Sequence, residues 1–287
     1  MPNSTSVIAS RKPTSLFQLG GASDVSGSLV IPASCNLIKV WACGPGGGGG
    51  GGYAGATGGG GGGGSGGQAV IGLEIPVVPG ETLAWSVGGW GAAGAAGAAG
   101  GSGSANTYLY RSTGGYYLMR CTAGAGGAVG AATKGGNGGT GPGDLYISGG
   151  TGSTDAKGGS VTIGSYTAQN LIASTAIPFL LGMPGAGGTY SSTTTAYTGG
   201  DSGALIGSMP YAAGGSTSGV VGGGGGGAGG SCWPKIYPYF SAAVLGNGGA
   251  DGVAGVSATN YGFGGGGGGR NAAGGSGGPS FIYVLYL

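Results

Sequence analysis

Histidine is absent from the 287 residues, and charge is scarce: Lys and Arg number 9, Asp and Glu 7, and charged side chains make up 6% of the chain. Without imidazole there is no histidine-based triad, no histidine metal ligand and no side chain whose ordinary pKa lies near neutrality. The seven carboxylates (Asp24, Glu74, Glu81, Asp144, Asp155, Asp201 and Asp251) are scattered, with no close pair of the kind a glycosidase uses. A net charge of +2 offers little to a nucleic acid or an anionic membrane. No stretch reaches the roughly 18 apolar residues of a membrane-spanning helix, and residues 1–17 lack the apolar core of a signal peptide.

Cysteine is also sparse. Cys35, Cys43, Cys121 and Cys232 have neither metal-ligand spacing nor the density of a disulfide scaffold, so they read as small buried hydrophobes. The Gly-Lys-Ser/Thr end of a phosphate-binding loop is missing, because Lys134 and Lys157 are each followed by Gly. Matches to G-x-G-x-x-G recur through composition alone, and no helix follows them. The chain is expected to be non-enzymatic, with no catalytic residue, cofactor or metal.

What is present is glycine: 84 residues, with 13 Pro, against an ordinary glycine usage of about 7%. Such bias usually signals disorder, yet disorder goes with low hydrophobicity and high net charge, and the mean hydropathy here is +0.22. Ordered glycine runs cannot be held by side-chain burial. Their backbone N–H and C=O groups must therefore find partners laterally, which threefold helices packed side by side can supply.

Alternating apolar segments mark strands at 28–32, 37–43, 68–78 and 81–87, with Pro79-Gly80 as a turn. Residues 107–110 and 116–121 read as a hairpin, with shorter candidates at 145–147 and 160–163. Residues 280–287 form the most apolar strand and are expected to pair beside 38–42. Between them, glycines at 91, 94, 97 and 100 enclose Ala-Ala pairs. That period of three puts Gly on one edge of a threefold helix. An Ala-rich α-helix is the rival reading, at about 1 kcal/mol for each interior glycine.

The expected fold is all-β: a β-sandwich-like framework with a bundle of polyglycine-II helices and almost no α-helix. Residues 1–24, with two glycines, read as an attachment arm. Residues 25–164 read as the framework with glycine-rich insertions, closed by the strand at 279–287, and 165–278 as the bundle with aromatic loops.

The positive signal is aromatic: 15 Tyr, 5 Phe and 4 Trp. Trp41, Trp85, Tyr108, Phe281 and Tyr283 sit in strand patterns and read as core. Tyr190, Tyr197, Tyr211, Trp233, Tyr237, Tyr239, Phe240, Tyr261 and Phe263 fall in loops. They either cap the glycine backbones or touch a ligand, as rigid aromatic side chains do at low entropic cost. The densest cluster is 232–240.

Gly-Ser-Leu-Val-Ile-Pro-Ala at 27–33, then Ile38-Lys39-Val40-Trp41-Ala42-Cys43-Gly44, resembles the glycine-rich domain of phage tail fibres. Val78-Pro79-Gly80-Glu81-Thr82-Leu83 leading to Val87-Gly88-Gly89, and Gly-Gly-Ser-Gly-Gly-Pro-Ser-Phe-Ile-Tyr-Val-Leu at 274–285, fit the same pattern. The later half is similar to the receptor-binding adhesins of T-even-type long tail fibres, although its Tyr- and Ser/Thr-rich middle and β-rich first half depart from them. The resemblance implies a virion protein assembled in the host cytoplasm. The arm would join other virion proteins, and the loop aromatics from Tyr190 to Phe263 would contact a bacterial surface protein or glycan. A homotrimer and a single cap both stay open. So do a capsid-decoration or other structural virion subunit and an extracellular glycine-rich matrix protein.

Overall fold

The computed structural model describes residues 15–141, 148–160, 179–180, 183–201, 212–219, 221–230, 245–259 and 261–287. Among them there is no α-helix, and the fold is all-β. A five-stranded antiparallel sheet holds, in spatial order, β1 (Ser15–Leu19), β12 (Phe281–Tyr286), β3 (Leu37–Cys43), β4 (Ala69–Pro76) and β9 (Phe179–Leu180). A four-stranded antiparallel sheet holds β2 (Val25–Val30), β5 (Thr82–Val87), β6 (Thr107–Arg111) and β7 (Tyr116–Cys121).

One apolar core lies between the two sheets. Ile38, Val40, Val70, Ile282 and Val284 meet Leu83, Trp85, Val87, Leu109 and Met119, as period-two alternation dictates. The closing strand pairs beside the strand at 38–42 as expected, Val284 opposite Val40. The 107–121 hairpin also forms. At Val78–Glu81 the expected turn closes with Glu81 N–H donating to Val78 C=O at 3.0 Å, and Gly80 has φ 80°, as the third residue of a type II turn requires.

Two expectations change, and one feature is new. Residues 1–24 do not stand apart as a whole, because Ser15–Leu19 pairs in full register with β12 and covers its edge. Sequence neighbours β2 and β3, like β4 and β5, belong to different sheets, so their short connections are corners between sheets. The bundle is not confined to 165–278, since two glycine runs of the first half stand inside it.

Those runs show how glycine is ordered. Residues 44–53 run outward from β3 and donate hydrogen bonds in a repeat of three. Gly47, Gly50 and Tyr53 donate to Ser65, Gly62 and Gly59; Gly48 and Gly51 to Gly101 and Ala98; Gly46, Gly49 and Gly52 to Gly278, Gly275 and Ala272. The same segment accepts on three other sides: from Gly91, Gly94 and Gly97, from Gly124, Gly127 and Gly130, and from Gly265, Gly268 and Asn271. These bonds span 2.8–3.1 Å.

Residues 58–68 run back and repeat the pattern. They donate to 122–131, 183–189 and 262–268, and accept from 44–53, 136–139 and 227–230. Buried Ser65 interrupts this run without breaking it, because its hydroxyl accepts from Ala125 N–H at 2.7 Å. The first part of the 91–100 segment behaves as its period implies, with Gly91 and Gly94 buried against 44–53 while Ala92, Ala93 and Ala95 are exposed. The chain then reverses at 95–98, so Gly97 is exposed in a turn with φ 78° and Gly100 lies on the returning segment. Two-residue strands β8 (Ser153–Thr154), β10 (Thr189–Tyr190) and β11 (Gly224–Gly225) form a small mixed sheet within this array.

Candidate functional site

The glycine segments alternate in direction, so the turns between them fall at two ends. Segments leaving the sheets turn at 53–58, 95–98, 131–134, 154–157, 191–196, 218–219 with 221–222, 250–253 and 270–272. These turns form one surface at the end of the bundle away from the sheets. The returning segments reach the sheet end, and Gly230 and Leu245, which flank the 231–244 stretch, both stand there.

Side chains tie the outer turns to one another. Arg270 Nη2 pairs with Asp251 Oδ2 at 2.8 Å, while its Nη1 donates to the carbonyls of Ala56 and Gly222. Asp251 is 8% exposed at its side chain, and its second oxygen accepts from Gly224 N–H at 3.0 Å. Asp155 accepts from both the N–H (2.6 Å) and the hydroxyl of Ser192, and Thr154 Oγ1 donates to Thr133 C=O at 2.6 Å. Asn271 closes the last turn in the left-handed region at φ 54°, which Asn tolerates better than most residues. The arrangement is a rigid, hydroxyl-rich surface.

The aromatic candidates divide. Tyr190, in β10, and Tyr197 are half-buried and flank the outer turn at 191–196. That turn is closed by Ser191 Oγ, which donates toward Thr193 and Thr195 carbonyls at 2.8 and 3.0 Å. Tyr261 and Phe263 lie at the other end, on the five-stranded sheet. Phe263 is 3% exposed and packs with Cys43, Ala69, Met183, Ala258 and Phe281. Tyr261 meets Phe281 edge-on at 5.1 Å, and burial, followed by the Cys43 thiol, pushes its phenol pKa up. Phe263 thus caps the seam between sheet and bundle and is no surface contact. Tyr211, Trp233, Tyr237, Tyr239 and Phe240 lie outside the described residues, as do the strand candidates at 145–147 and most of 160–163.

No family model matches the chain, and no curated protein matches it. No group of three or more Cys, Asp or Glu among the described residues could hold a metal ion. Cys35, Cys43 and Cys121 are buried and free of disulfides.

The outer turns carried little sequence signal, being short, and their few charged residues (Asp155, Asp251 and Arg270 among them) are scattered along the chain. The available clue was directional: each glycine run reverses the chain, so alternate connections must share an end.

Proposed function

We propose that the chain is a bacteriophage virion protein, a tail-fibre or fibre-tip adhesin in which polyglycine-II helices form a stiff bundle that presents loops to a bacterial surface receptor. The supporting observation is the threefold lateral bonding of 44–53 and 58–68, each segment joined to neighbours on six sides. Six-sided bonding is what close-packed threefold glycine helices require, and it fixes loop ends without a side-chain core. Loops held so firmly lose little entropy on binding, and several copies on one particle would add avidity. The mechanism is recognition without bond making or breaking.

Contact residues are the loop aromatics other than the buried Phe263, with the 232–240 cluster foremost, and the arm joins other virion proteins. The test is binding of the purified chain to cells of the phage host, with Trp233, Tyr237, Tyr239 and Phe240 replaced together by Ser. Loss of binding in a variant that melts like the parent supports this reading. Retained binding rules out that cluster. A parent chain that binds no host cells overturns the adhesin reading in favour of a structural virion subunit.

A further inference from the structure

The four-stranded sheet has one face on the core and one facing outward, and the outward face has an unusual composition. Along β6, buried Thr107 and Leu109 alternate with half-exposed Tyr108 and Tyr110. On β7, Tyr117 is 52% exposed and lies opposite Tyr110, past a bulge that re-aims the strand. The ring of Tyr117 meets those of Tyr108 and Tyr110 edge-on, at 5.3 and 5.2 Å between centroids. Beside these rings the register places small residues, Ala84 opposite Tyr110 and Ser28 opposite Ala84. Three phenols therefore stand next to a low shelf.

Charge on this face has one sign. None of the four strands contains Asp or Glu. Arg111 is committed to Glu81 through two bonds of 2.7 Å. Arg120 is exposed with its guanidinium carbon 5.7 Å from the centre of the Tyr117 ring, and it makes no ion pair among the described residues. A guanidinium held near a ring by cation–π attraction, with no ion pair, keeps N–H donors available to a carboxylate. The hydroxyls of Tyr108, Tyr110 and Tyr117 likewise have no protein partner among the described residues.

We propose that this face, centred on Tyr108, Tyr110, Tyr117 and Arg120, binds an acidic polysaccharide. The C–H face of a pyranose ring carries partial positive charge and lies against the electron-rich face of a phenol. The three rings meet edge-on, with 74° and 62° between planes, so one sugar unit lies against an outward ring face while its neighbours meet the edges and hydroxyls of the other two. The ring carboxylate is held by Arg120 through charge-assisted bonds, and the phenol hydroxyls meet sugar hydroxyls. The site is separate from the loops and does not rest on the virion reading, because purified chain and defined sugars suffice to test it.

The experiment is calorimetric titration of the full chain with an oligogalacturonate, and with its methyl ester as the uncharged counterpart. The acid is expected to bind and the ester to bind about tenfold more weakly or not at all. Arg120→Gln is expected to bring the acid down to the level of the ester, and Tyr117→Ser to weaken both ligands. Arg120 is exposed, so its variant should melt like the parent even if Tyr117→Ser does not. Absence of binding by the acid, equal binding of acid and ester, or unchanged affinity in Arg120→Gln would each overturn the proposal.

Discussion

Replacing Gly48 by Ala tests whether backbone closeness orders the bundle. Gly48 donates to Gly101 at 2.8 Å and accepts from Gly127 at 2.9 Å. A methyl group there would overlap the Ala92 carbonyl oxygen, lying 2.6 Å from its carbonyl carbon and 3.0 Å from the Gly91 oxygen. Two carbons pack at about 3.5 Å or more, so the 91–97 segment must retreat by about an ångström. That segment is tied to 44–53 by Gly91, Gly94 and Gly97 donating at 2.8, 2.9 and 2.8 Å. A retreat of that size takes all three beyond hydrogen-bond range. Each lost bond costs about 1 kcal/mol net, and more where a buried group stays unpaired.

Alanine recovers about 0.4–1 kcal/mol by restricting the unfolded chain. The net expectation is a loss of about 3–5 kcal/mol, a large part of the 5–15 kcal/mol typical of a folded domain. Scanning calorimetry should show the midpoint falling by about 5–8 °C. Gly21→Ala is the control, since a methyl group there meets nothing within 4 Å, and its midpoint should stay near the parent's. If Gly48→Ala melted with the control, close backbone approach would not be what orders the runs.

Three further outcomes follow from side chains. Thr107 is fully buried in β6 and its hydroxyl has no partner among the described residues, so Thr107→Val should stabilise the chain by about 1 kcal/mol in urea unfolding; destabilisation would mean that the hydroxyl is satisfied. Burial raises the Glu81 pKa, but hydrogen bonds from Arg111 and Val78 N–H and the Arg111 charge outweigh it, leaving the carboxyl below its ordinary value of 4.5. Its stabilisation is present above that value and is lost as pH falls through the lowered one; the gap in midpoint between parent and Glu81→Gln should therefore close on acidification, and a pH-independent gap would contradict the pairing. Arg270→Met strands the buried Asp251 carboxylate and should cost about 3–5 kcal/mol, with faster amide exchange at Gly58 and Gly224; unchanged exchange there would show that Arg270 does not hold the outer turns.

Much of the framework was legible because side-chain alternation encodes strands directly, as in β3, β6 and β12. The Gly-Ala-Ala period likewise marked which edge of 91–94 faces a neighbour, though not the reversal at Gly97. Pairing partners were harder. β3 finds β12 some 240 residues later, and nothing local says that β2 and β3 part company at a corner. Gly44 and Gly58 begin runs at the centre of the bundle, yet they look like insertions because a glycine run has no side chains to name its neighbours. Phe263 looked like a loop residue because glycine follows it. Its burial depends on Phe281, which only the folded sheet brings close.

The repeat of three also constrains how such a chain can change over generations. Removing one residue from 58–68 would turn everything beyond it by a third of a revolution, so each donor would face a different neighbour. Losing three residues would restore every pairing and merely shorten the segment. Run lengths in related chains should therefore differ in steps of three residues, whereas the turns at either end can take any length. Diversification is channelled into the ends, where a binding surface can alter without disturbing what supports it.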